Sequence, residues 1–142
     1  MDITSPFSPL FQKASVLHHQ GKYKAAIGIY LECLSCMPNH ADLLSNLGSA
    51  LVSISQEQTA EAYFKQGLYV KKSHPKLLTN YGNLLRKQGR FVEAEVLYKR
   101  LLEHQPKKKE HLLLAGMLYC DWHKPQLALH YFHKVHKIDP EY

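Results

Sequence analysis

The residues best able to do chemistry in this 142-residue chain are its cysteines and histidines. Cys33 and Cys36 stand three apart in the stretch CLSC. Such a C-x-x-C pair can form a dithiol redox centre, or half of a zinc site when a second pair lies downstream. This chain has no second pair, and its third cysteine, Cys120, lies far along the sequence. His130, His133 and His136 in HYFHKVH are spaced so that helical neighbours could jointly hold a transition metal. No carboxylate or cysteine stands in step with them, so they read instead as a titratable surface patch. A glycine-rich phosphate loop, a G-x-S-x-G turn and a spacing-nominated carboxylate pair are all missing. Neither catalysis, a metal nor a cofactor is therefore expected.

What the cysteines do depends on the elements that hold them. Ala26, Ala60, Ala94 and Ala128 recur every 34 residues, each followed four residues later by an aromatic: Tyr30, Phe64, Tyr98 and Phe132. The same period links Leu10, Leu44, Leu78 and Leu112, then Ala14, Gly48, Gly82 and Gly116, then Leu17, Leu51, Leu85 and Tyr119. Within a unit, Leu78, Tyr81, Gly82 and Leu85 share one face of a helix of period 3.6. A short polar turn such as KQGR, whose Gly89 can take the positive φ of a helix C-terminus, then leads to a second amphipathic segment. Each unit thus reads as a helical hairpin in which small residues let two helices approach and aromatics fill the interface. One hairpin cannot bury its apolar face alone, so units stack. On this register Cys33 is in step with Gly67, Leu101 and Val135, and Cys36 with Val70, His104 and Ile138. Both cysteines are expected to act as small hydrophobes near the end of a packed helix.

Leu78, Tyr81, Gly82 and Leu85, followed by Ala94, Tyr98 and Pro106, resemble the tetratricopeptide repeat (TPR) family, whose signature is W-x2-L-G-x2-Y, then A-x3-F, then a closing proline. The resemblance covers four units, 7–40, 41–74, 75–108 and 109–142, after an N-terminal extension of residues 1–6. It implies an all-α superhelical solenoid of four helix-turn-helix repeats. Lys13 departs from the pattern where an apolar residue belongs, Ser55 and His123 replace the turn glycine, and Lys72 replaces a closing proline. These departures bear only on local turn geometry.

The resemblance also implies a concave groove lined by the first helix of each unit. One ring of equivalent positions holds Gln12, Asn46, Asn80 and Leu114, the next Ser15, Ser49, Asn83 and Met117, and a third Phe11, Ser45, Thr79 and Leu113. Carboxamides donate and accept at once, so a row of them suits the backbone of an extended peptide. Asn46 and Asn80, with Gln12 as an extension, are similar to the asparagine ladder in the TPR arrays of O-linked N-acetylglucosamine transferases. Ser49, Lys76, Asn83, Arg86 and Lys87 complete the candidate groove. A chaperone-type carboxylate clamp would occupy Phe11, Ser15, Asn46, Lys76 and Asn80, where only two residues match, so that ligand is not expected. In the fourth unit Leu113, Leu114, Met117 and Cys120 turn the groove apolar. Something is expected to cover them: a second copy of the chain in a homodimer, a longer native C-terminus, or an apolar segment of a partner.

With 45% hydrophobic and 21% charged residues the chain has the balance of one packed soluble domain. No apolar run approaches the roughly 18 residues of a membrane span. The start MDITSPFSPLF lacks the basic opening of a signal peptide, and an odd number of cysteines suits a reducing compartment, so a cytoplasmic location is expected. The net charge of +6 is bunched in VKKSHPK and KRLLEHQPKKKEH, at junctions between helices, where it reads as solvated turns. Nucleic acid is not the expected partner. The expected function is protein–protein interaction with a peptide or protein in the groove. The alternative is the substrate-recruiting N-terminal part of a larger enzyme, such as a glycosyltransferase or sulfotransferase.

Overall fold

Every one of the amphipathic stretches forms a helix in the computed structural model, which describes residues 9–142. They are α1 (Pro9–His19), α2 (Tyr23–Cys36), α3 (Ala41–Ser53), α4 (Glu57–Val70), α5 (Pro75–Lys87), α6 (Phe91–His104), α7 (Lys109–Asp121) and α8 (Pro125–Ile138). The expected extension over residues 1–6 lies outside the described residues. The fold is all-α: no strand occurs among the described residues, and no helix is long and apolar enough to cross a membrane. Second helices begin at Tyr23, Glu57, Phe91 and Pro125, at the period read from the sequence.

The four turns inside the hairpins share one hydrogen-bonding pattern. Gly21, Ser55, Gly89 and His123 all have positive φ, at 79°, 65°, 74° and 57°. Each donates its N–H three residues back, and the following residue reaches five back: Lys22 to Leu17, Gln56 to Leu51, Arg90 to Leu85 and Lys124 to Tyr119, at 2.8–2.9 Å. This double bond satisfies two carbonyls that a helix end would otherwise leave open. Ser55 and His123 hold the left-handed conformation despite carrying a Cβ, which costs roughly 1–2 kcal/mol. Packing of the two helices they join therefore overrides the residue preference.

The chain divides into two compact units, residues up to Asn80 and residues from Tyr81 onward, with the boundary inside α5. In the first unit Ala14 and Tyr30 are both fully buried, and a methyl added at Gly48 would run into the ring of Phe64. Gly67 lies under Leu77, whose Cδ1 would be 2.7 Å from such a methyl. In the second unit Gly82 faces Tyr98 at 2.6 Å by the same measure, and Gly116 faces Phe132. Leu43, Leu44, Leu47, Leu77 and Leu78 fill the first interior, and Leu84, Leu85, Leu101 and Leu112 the second.

Within this scaffold the cysteines separate. Cys33 is fully buried, and burial pushes its thiol above the ordinary value, away from the thiolate that redox chemistry needs. Cys36 is exposed, contrary to the expectation that it would be enclosed. It is the last residue of α2, on the side facing solvent, whereas the next residue, Met37, is buried. Cys120 is exposed as well.

Candidate peptide-binding face

In the first unit, α1, α3 and the opening turns of α5 carry the polar positions that the register assigned to the groove. Gln12 is exposed, whereas Asn46, Ser49 and Asn80 are half-buried. Asn80 Nδ2 donates to Ser45 Oγ at 2.9 Å, and Ser45 is fully buried. This bond fixes the Asn80 carboxamide and brings it against the residue preceding Asn46. One Asn80 hydrogen and its carbonyl oxygen remain to serve a ligand. The Asn46 side chain makes no hydrogen bond among the described residues. Lys76 stands exposed in the first turn of α5. Its charge reaches His18, which burial, then His19, then Lys76 hold below the ordinary histidine value. The Tyr30 hydroxyl, whose own pKa burial pushes up to about 12, lies within hydrogen-bond distance of His18, its Oη 3.2 Å from Nδ1.

The second unit treats its candidates differently. Asn83 Oδ1 accepts a 2.5 Å bond from the hydroxyl of Tyr98, and Arg86 Nη1 donates to Asp121 Oδ2 at 3.4 Å. Tyr98 is buried and its pKa is pushed up to about 12, chiefly by desolvation, so its hydroxyl needs an acceptor and stays protonated. Asn83 and Arg86 thus carry scaffold bonds that the register could not foresee. Lys87 is exposed at the end of α5. Leu113 and Leu114 are half-buried, Met117 is 42% exposed and Cys120 is exposed, so the apolar character of α7 reaches solvent mainly through its last two turns. His130, His133 and His136 are all exposed on α8.

Two histidines that sequence reasoning passed over hold helix starts. His40 Nδ1 accepts from the Leu43 N–H at 3.3 Å, and His74 Nδ1 from the Leu77 N–H at 3.4 Å. His74 also spans to the preceding repeat, its Nε2 lying 3.0 Å from Asp42 Oδ1. Accepting with Nδ1 and donating with Nε2 defines a neutral tautomer. The signal was available: the two histidines are one period apart, each just before a first helix.

Comparison with known proteins extends what the geometry indicates. Tetratricopeptide repeat family models match residues 8–40 and 75–108. Human protein O-mannosyl-transferase TMTC2 is 32% identical over 108 residues, which are 74% of this chain and 13% of that protein. The bovine BBSome complex member BBS4 is 27% identical over 131 residues, 92% of this chain and 25% of that protein. The chain therefore spans a quarter or less of either relative. Among solved structures, YrrB, described as a TPR protein with an unusual peptide-binding site, superposes with a TM-score of 0.80 at 22% identity, covering 94% of this chain and 69% of its own. A MamA double mutant superposes at 0.82 with 19% identity, covering 94% and 75%. At these identities the superpositions establish the fold.

Proposed function

For a chain that belongs to the tetratricopeptide repeat family, we propose that the polar face of the first unit binds an extended peptide or protein segment. A TPR fold is a protein-interaction scaffold, and this one carries the half-buried carboxamides of Asn46 and Asn80 on its first helices. The carrying observation is the unbonded carboxamide of Asn46, one residue along α3 from the Ser45 that holds Asn80 in place. A fixed amide next to a free one suits the alternating N–H and C=O groups of a peptide backbone. Gln12, Ser49 and Lys76 extend the same face, and in the second unit, taken by itself, Asn83, Arg86 and Lys87 are separate candidates for peptide contact. The peptide-binding site named for YrrB and the complex membership named for BBS4 support this reading. No catalysis is assigned to the chain itself. A cytoplasmic location, resting on three free thiols, is part of the reading.

The double variant Asn46→Ala/Asn80→Ala tests it. Losing the Asn80 to Ser45 bond costs about 1 kcal/mol, which a stacked helical domain survives. Affinity capture followed by mass spectrometry is expected to lose the partner retained by the unaltered chain while the thermal midpoint moves by only a few degrees. Retention of the same partner by the folded double variant would remove the site.

A second reading has an observation of its own, the 32% identity with TMTC2, which is named as a mannosyl-transferase. In it the chain recruits substrate for a catalytic domain elsewhere. A homodimer through the fourth repeat, with Met117 and Cys120 at its centre, is a further proposal that light scattering at several concentrations reads directly.

A further inference from the structure

We propose that a cleft where the end of the third repeat meets the fourth docks an acidic, amphipathic protein segment that inserts an apolar side chain between three lysines. The cleft has a volume of about 430 Å3 and is lined by Pro106, Lys107, Leu112, Lys134, Lys137 and Ile138. That volume is in the lower part of the roughly 300–1,000 Å3 range of ligand sites. It lies wholly in the second unit.

Two features select the occupant. The first is the floor: Leu112 is 2% exposed at the base, and Ile138 is 45% exposed at the edge beside Pro106. Covering Ile138 rewards an apolar side chain at about 25 cal/mol per Å2, while Leu112, already out of water, offers it an apolar floor. The second is unbalanced charge. Lys134 and Lys137 stand one turn apart on α8, with Lys107 opposite at the junction before α7, and none forms an ion pair among the described residues. The neighbouring carboxylate that could neutralise them, Asp139, is held by Lys109 at 2.9 Å, and that hydrogen bond keeps it below the ordinary carboxylate value. Lys134 Nζ rests 5.3 Å from the centroid of the Tyr131 ring, which orders its stem without cancelling its charge. A phosphate or a nucleic-acid backbone would engage the lysines but gain nothing from Leu112, Pro106 and Ile138. A leucine or phenylalanine flanked by glutamates uses both.

Fluorescence anisotropy on the full chain tests the proposal with a fluorescein-labelled peptide carrying leucine and phenylalanine between glutamates, and with a counterpart carrying serine at both apolar positions. The first peptide is expected to bind, more weakly at higher salt, and the second to bind at least about tenfold more weakly. Lys134→Glu/Lys137→Glu and, separately, Ile138→Asp should each weaken the first peptide about tenfold. If charge reversal lowers the helical signal, Lys134→Gln/Lys137→Gln supplies the same comparison. Equal binding of the two peptides, indifference to the lysine and Ile138 changes, or lysine-dependent binding of phosphatidylserine vesicles in place of the peptide would each overturn the proposal.

Discussion

Phe64→Ala is expected to lower stability by about 3–5 kcal/mol, Gly48→Ala by about 1–2 kcal/mol, and the two together by less than the sum. Phe64 is fully buried, and its ring occupies the space a Cβ at position 48 would need. Removing the ring opens a cavity that surrounding leucines, each seated in its own register position, cannot collapse to fill. Adding a methyl at 48 gains about 1 kcal/mol of helix propensity but forces the ring against its neighbours, which costs more. In the double variant the new methyl enters the vacated space, so the overpacking term vanishes and the propensity gain remains. The expected coupling is about 1–3 kcal/mol in the favourable direction, read from urea unfolding of the four proteins in the cycle. Strictly additive costs would mean that ring and glycine do not share the space. The corresponding exchange at Gly82 and Tyr98 should recover less, because removing Tyr98 also strips Asn83 of its hydroxyl donor.

How far such outcomes can be read from sequence depends on what kind of contact they need. Gly48, Gly82 and Gly116 announced their aromatic partners because period and helical spacing are one-dimensional quantities and both sides of each contact obey them. Cys33 followed for the same reason, its buried position being fixed by register. Cys36 did not, since which side of the last turn of α2 faces solvent, with Cys36 exposed and Met37 buried, is set by tertiary packing at the helix end. The groove candidates show a second limit. Register identified Asn80 and Asn83 as polar positions of a first helix, yet one donates to Ser45 and the other accepts from Tyr98. Which polar group a buried hydroxyl takes depends on distances of a few tenths of an ångström, which no periodicity encodes. Ser55 and His123 mark the opposite case, where the turn forms without its preferred residue because two packed helices fix its ends.

His111→Leu is expected to stabilise the chain by about 1–3 kcal/mol at neutral pH and by more in mild acid. Position 111 is one period after Leu77 and two after Leu43, both fully buried, so the site is built for an aliphatic side chain. His111 is only 5% exposed there, and its Nδ1 has no hydrogen-bond partner. A buried polar atom left unpaired forfeits its hydration without return, a loss that leucine removes. The pH dependence has a definite sign. Burial, reinforced by Lys108, lowers the folded-state pKa of His111 below 6.5. Above pH 6.5 it is neutral in both folded and unfolded chains and contributes no slope. Below that value the unfolded chain takes up a proton that the folded chain resists, so stability falls by up to about 1.4 kcal/mol per pH unit until the folded pKa is reached. Leucine deletes this component, so the stability gap between variant and parent should widen as pH drops below 6.5. His18, also lowered by burial, keeps the variant somewhat acid-sensitive, whereas Asp139, lowered by Lys109, titrates below this window. Denaturant unfolding of both proteins across the acidic range reads the gap. A constant difference would show that His111 is as easily protonated in the folded chain as in the unfolded one, and a loss of stability in the variant would show that the histidine has a polar partner.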